Sequence, residues 1–153
     1  MDVKLVNPFI DATMNVLEAM ASTKAQPGEP YLKKDRIAQE EVSGVIGLTG
    51  EVSGTFSVSF SESSILSIVS NMFGEEMKEI NEEINDAVGE ITNIISGQAR
   101  QKLEELGRSL KAAIPTVITG KNHLITHITP FPIIAVQFST DNGEFAIEVC
   151  FEE

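Results

Sequence analysis

"PIIAVQFSTDNGEFAIEVCFEE", residues 132–153, reads as two strands joined by a tight turn. Asp141-Asn142-Gly143 supplies the turn, because Asx and Gly residues accept the left-handed backbone that a short hairpin needs. Hairpin strands run antiparallel, so the sheet containing them is of that kind. A second hairpin lies far upstream in "SGVIGLTGEVSGTFSVSF", residues 43–60. Its closing arm alternates, with Phe56, Val58 and Phe60 on one face and Ser57 and Ser59 on the other. Such alternation marks a strand with one face on a core.

Helical patterns sit between the hairpins. "NPFIDATMNVLEAMAS" (7–22) carries Phe9, Ile10, Met14, Val16, Leu17 and Met20 at amphipathic spacing. "AQPGEP" (25–30) ends it with proline and glycine, and "YLKKDRIA" predicts a short edge strand protected by its charges. "SESSILSIVSNMFG" (61–74) is a helix that Ser61 can cap and Gly74 can terminate. "EEMKEINEEIN" (75–85) leads into a longer helix, expected from Ile80 or Asn81 to Leu106 and stopped by Gly107. Its carboxylates suit the positive end of that helix. "PTVITGKNHLITHITP" (115–130) is β-branched and predicts further strands.

The order repeats. "GTFSVSF" (54–60) matches "GEFAIEV" (143–149) in glycine, phenylalanine and alternation, and "NVLEAMA" (15–21) matches "NIISGQA" (93–99). Helix and hairpin each occur twice in the same order. The expected fold is α+β: an antiparallel sheet with the first and the long helix packed on one face, as duplicated helix-plus-hairpin units. At 153 residues the chain has room for one domain with a proper core, expected to span 1–153.

Charge and composition narrow the function. With 11 Lys and Arg against 23 Asp and Glu, the net charge is −12. Nucleic acid and anionic membranes both demand a cationic surface, so neither is expected as a partner. The lone Cys150 permits no intrachain disulfide. The opening residues lack a continuous apolar stretch of the secretory kind, and no run suits a bilayer span. A cytoplasmic location is the expectation.

The long helix poses the functional question. In "NDAVGEITNIISGQA" (85–99), Ile84, Ala87, Val88, Ile91, Ile94 and Ile95 recur at helical spacing and face a core. Asp86, Glu90, Asn93 and Gly97 recur on the other side, within a stripe about 60° wide at 100° per residue. A solvated face ordinarily carries Lys and Glu in i,i+4 pairs, and this stripe holds no cation between 86 and 97. Asparagine is a poor helix former, and glycine costs about 1 kcal/mol relative to alanine. An outward Asn beside a bulk-free Gly is explained when the amide acts on a surface that approaches closely.

This pattern resembles the active-site helix of the CheX/CheC/FliY chemotaxis phosphatases. Those proteins carry an acid or serine, three residues, glutamate, two residues, then asparagine. Here these are Asp86, Glu90 and Asn93, followed by Ile94, Ile95 and Gly97. The resemblance extends to the first helix, to "SILSIVSNMFG" and to the closing hairpin. A single motif copy is similar to the CheX-like members, because Ala12 stands three residues before Asn15, where a second copy has glutamate. Asn15 is then a relic or a packing residue.

The resemblance implies hydrolysis of the aspartyl-phosphate of a response-regulator receiver domain of the CheY type. Asn93 would orient the attacking water, and Glu90 would dock the receiver's lysine. Asp86 and Gly97 would be accessory contacts for the partner. No cofactor of its own is implied, since the receiver supplies Mg²⁺, and a homodimer is expected. The alternative is a non-catalytic receiver-binding adaptor, or a structural domain in a larger signalling assembly.

Other candidates carry less. His123 and His127 have i,i+4 spacing, but "HLITHIT" reads as a strand, where the rings stand about 13 Å apart and share no metal. Gly44, Gly47, Gly50 and Gly54 match no nucleotide fingerprint and suit hairpin turns. Ser61, Ser63 and Ser64 have no histidine nearby in sequence, and Cys150 alternates with core residues as an inert thiol.

Overall fold

The computed structural model describes residues 3–35, 40–121, 123–125 and 132–152. After a short 3₁₀ turn, α1 spans Asn7–Ala21 and is followed by two short strands, β1 (Gln26–Pro27) and β2 (Tyr31–Lys33). The first hairpin is β3 (Val42–Gly50) and β4 (Ser53–Phe60). Then come α2 (Glu62–Phe73) and α3 (Glu82–Glu105), two more short strands, β5 (Leu110–Ala112) and β6 (Thr116–Thr119), and the second hairpin, β7 (Ile133–Thr140) and β8 (Gly143–Glu152).

Local chemistry sets the helix ends. Ser61 Oγ accepts from the Ser64 amide at 3.2 Å, and Gly74 closes α2 with φ of 71°. Asn81 caps α3 by accepting from the Ile84 amide at 3.1 Å, so the helix proper starts one residue later than Asn81. Glu82 and Glu83 occupy its first turn, where the helix dipole favours anions. Gly107, at φ 89°, follows its C-terminus. The turn of the second hairpin is the pair Asp141-Asn142, while Gly143 already pairs with Thr140 as the first residue of β8.

Every pairing among these eight strands is antiparallel, in the order β1-β7-β8-β4-β3-β5, with β2 also on β7 and β6 also on β3. The two hairpins meet along β4 and β8, where Phe56 lies opposite Val149 and Phe60 opposite Phe145. "GTFSVSF" and "GEFAIEV" place Phe56 in correspondence with Phe145 and Phe60 with Val149, and the opposed pairs exchange these about Val58–Ile147, so the pairing is self-complementary. The short strands after each helix pair with the first strand of the other hairpin. The sequence repeat is therefore a pseudo-twofold sheet.

The helices pack on one face, as the alternation predicts. Phe9 of α1 stacks on Phe56 at 5.0 Å, and Phe138 stacks on Phe145 at 4.9 Å. Ile46, Val58, Ile134 and Ile147 complete this side with no exposure above 7%.

The opposite face is also buried, and there the charges differ from expectation. Lys33 does not shield an open edge. It turns inward to Glu148 at 2.7 Å, with the two side chains 9% and 4% exposed. Ser43, Ser57 and Ser59 are buried as well. Ser43 Oγ lies 2.5 Å from Ser59 Oγ and 2.6 Å from His123 Nε2, while His123 Nδ1–H donates to the Gly120 carbonyl at 2.6 Å. Burial pushes the nearby Glu40 carboxyl up, against a hydrogen bond from Gln137 and with the charges of Glu144 and Glu41. His127 lies outside the described residues, so the histidine pair has no geometry here.

Candidate active site

α3 is held by its apolar stripe. Ile84, Val88, Ile91 and Ile95 have no exposure, and the buried Thr92 returns its hydroxyl to the Val88 carbonyl at 2.7 Å. The sheet comes unusually close at this point. Gly44 of β3 faces Thr92, and a Cβ on Gly44 would overlap the threonine hydroxyl. Gly44 and Gly47 are therefore not turn residues, as the sequence suggested, but stand within β3. Gly44 leaves room for the helix. Glycines inside a strand commonly mark such approaches, which is the signal that could have found it.

With the phase of α3 so set, Asp86, Glu90 and Asn93 are all exposed, and Gly97 is half-buried beside them. The four sequence-predicted site residues share one face. Glu90 and Asn93 are separated by about 4.5 Å along the axis and about 60° around it. Asp86, Glu90 and Asn93 make no hydrogen bond or ion pair among the described residues. An unengaged carboxylate and an unengaged carboxamide on a rigid helix are available to a partner. At Gly97, a Cβ would meet only Arg100 Nη2, at 3.8 Å, so the surface above the glycine is open.

A polar groove of about 470 Å³ runs beside this face between α1 and α3. Pro8, Asp11, Ala12 and Asn15 line one wall, and Gln98, Gln101, Lys102 and Glu105 the other. Asn15 is exposed in the groove and so is not a packing residue, while Ala12 beneath it is 4% exposed. The α3 wall of the groove adjoins the Glu90–Asn93 stripe: Gln101 lies within about 20° of Glu90's azimuth, while Gln98, Lys102 and Glu105 turn further away. Among the described residues no group of three His, Cys, Asp or Glu could hold a metal ion, and no helix is long and apolar enough to cross a membrane.

Comparison with known proteins bears directly on this face. The family model "Chemotaxis phosphatase CheX" matches residues 42–139, a span that contains α3 whole. The CheY-P phosphatase CheX of Thermotoga maritima is 30% identical over 123 residues, 80% of this chain and 79% of that protein. The chain belongs to the CheX family of chemotaxis phosphatases.

Solved structures of CheX-like proteins agree over the full length. The crystal structure of a CheC-like superfamily protein from Shewanella sp. PV-4 is 43% identical with a TM-score of 0.93, covering 100% of both chains. CheX in the CheX–CheY–BeF₃–Mg²⁺ complex from Borrelia burgdorferi is 25% identical with a TM-score of 0.84, covering 99% of this chain and 100% of that one. The α+β class expected from the repeats is thus that of the CheX and CheC-like structures.

Proposed function

We propose that this CheX-family chain hydrolyses the aspartyl-phosphate of a CheY-type receiver, with Glu90 and Asn93 as the site. The observation that carries the assignment is their unengaged, side-by-side placement on the exposed face of a helix whose other face is fully buried. Two relatives support the substrate class: one is named a CheY-P phosphatase, and another is seen in complex with CheY, BeF₃ and Mg²⁺.

The chemistry asks little of the phosphatase. An acyl phosphate is intrinsically labile, and Mg²⁺ on the receiver offsets the phosphoryl charge. Water attacks phosphorus in line as the bond to the aspartyl oxygen breaks; the carboxylate leaves, and the water's proton departs with inorganic phosphate. What remains for the partner is to place the water and to hold the two proteins together. The Asn93 carbonyl accepts from the water while its NH₂ donates, and a neutral amide avoids the repulsion a carboxylate would meet at the phosphoryl group. Glu90, one turn away, pairs with a lysine of the receiver and sets the docking register. Asp86 lies at the rim, and Gly97 admits the receiver's surface.

Asn93→Ala and Glu90→Lys separate these roles. Asn93→Ala is expected to keep receiver affinity and lose turnover on the order of a hundredfold, about 2.7 kcal/mol of barrier. Glu90→Lys places like charges together, so its loss appears first in association. Affinity is measured with a BeF₃-loaded receiver, and turnover at saturating phosphorylated receiver. Normal turnover by Asn93→Ala at saturation would remove the water-positioning role from Asn93 and leave the stripe as a docking surface only.

A further inference from the structure

We infer that Arg100 is a second docking residue, taking a carboxylate of the receiver one to two helical turns from Asn93. The inference rests on the reading of Glu90 and Asn93 as the receiver site and deepens it.

The position follows from the helix. Arg100 stands seven residues after Asn93, which places it about 10.5 Å further along α3 and within about 20° of the same azimuth. It therefore continues the stripe of Asp86, Glu90, Asn93 and Gly97 and adds a cation to it. Helical side chains lean toward the N-terminus, and this one folds back toward Gly97, with Nη2 3.8 Å from where a Cβ would stand. The missing side chain at 97 leaves space for the guanidinium on the site's own side of the helix.

The electrostatics point to a missing partner. Arg100 is half-buried, and its Nε is buried without a hydrogen-bond acceptor. No ion pair satisfies it among the described residues, although the chain carries a net charge of −12 and exposed Glu104 stands one turn on. Lys102, the other cation of α3, pairs with Glu105 at 3.6 Å. A partly desolvated guanidinium without a counter-charge is costly to hold, and a carboxylate brought by a partner relieves that cost. The planar fork of Arg suits a carboxylate in bidentate geometry, which fixes orientation as well as charge. Glu90 offering an anion and Arg100 a cation on one stripe make a two-point, sign-specific match, which discriminates among receivers by the acid each presents.

The test uses the full chain and each CheY-type receiver of its host, loaded with BeF₃⁻ and Mg²⁺ for affinity and phosphorylated for kinetics. Arg100→Ala is expected to weaken affinity about five- to tenfold, and Arg100→Glu more. The loss appears in KM rather than kcat, and Arg100→Lys recovers part of it. The salt dependence of binding becomes shallower in Arg100→Ala. Lys substituted in turn for surface acidic residues of the receiver about 10 Å from its phosphorylation site, outside the Mg²⁺ ligands, should restore binding to Arg100→Glu at one position. Circular dichroism checks that each variant is folded. Wild-type affinity in both Arg100→Ala and Arg100→Glu overturns the inference while leaving the site reading intact. A kcat loss of tenfold or more at unchanged affinity overturns it too, because the group would then act on the phosphoryl oxygens. Failure of the unaltered protein to bind any phosphorylated receiver overturns the site reading and the inference together.

Discussion

Gly44 of β3 lies so close beneath Thr92 of α3 that a methyl group on the glycine would overlap the threonine hydroxyl. Thr92 immediately precedes Asn93, so this contact sets the height and phase of the helix where its chemistry is carried. The site is built from the sheet upward: a strand glycine seats the helix, the helix phase turns Asn93 outward, and its neighbours Ile91 and Ile95 lock the rotation.

Gly44→Ala should therefore lift α3 from the sheet. Overpacking of a buried contact costs about 1–3 kcal/mol, and both Tm and kcat should fall. An unchanged Tm would show that the helix has room to spare at this point.

Gly97→Ala should behave in the opposite way toward stability. The new Cβ meets only Arg100 Nη2 at an ordinary 3.8 Å. Helix propensity then favours alanine by about 1 kcal/mol, so the variant should unfold at a higher denaturant concentration. Its KM for phosphorylated receiver should rise severalfold, because the methyl group stands where the receiver's surface approaches. A more stable protein with unaltered KM would remove Gly97 from the docking face.

The Lys33–Glu148 pair joins an edge strand to the centre of the sheet at 2.7 Å, with both side chains almost fully buried. Removing Lys33 takes a charge-assisted hydrogen bond from the buried Glu148 carboxylate, so Lys33→Met should cost more than the roughly 1 kcal/mol of a solvated pair. The double change Lys33→Met with Glu148→Leu should recover most of that loss. Chemical denaturation of the three proteins gives the coupling directly. A single change within 1 kcal/mol of the unaltered protein, roughly the value of a solvated pair, would mean that burial adds nothing to this pair.

At the same edge, Tyr31 and Leu32 are 47% and 63% exposed on β2, and Leu32 lies beside Pro132 and Ile133. We propose that this side of the sheet joins two copies of the chain, leaving the Glu90–Asn93 face free. Sedimentation at micromolar concentration should give a homodimer, and Leu32→Lys should shift it toward monomer with turnover per chain retained. A monomeric unaltered protein would sink the proposal.

Much of this molecule is legible in local sequence. The alternation of Phe56, Val58 and Phe60 marks a core face, Ser61 and Asn81 announce helix starts, and the Asp86–Glu90–Asn93 stripe is visible before any coordinate. Each of these depends on residues within a few positions of one another, where backbone geometry alone sets which side chains share a face. Even the duplication reads through, because the two units repeat the same local pattern. Local pattern carries no signal where residues act across the fold. Gly44 looked like turn punctuation and is a seat for α3; Lys33 looked like an edge guard and is a buried ion.

The sequence by itself determined the helices, the two hairpins and which residues of α3 face away from the core. Only the tertiary structure decided that β4 joins β8, that Gly44 meets Thr92, and that Ser43 bonds His123 across 80 residues and Lys33 bonds Glu148 across 115. The physical reason is range. Periodicity records the preference of each segment for a buried side, but the same preference is satisfied by many partners. Which partner is chosen depends on simultaneous packing of the whole chain, and no local pattern carries that information.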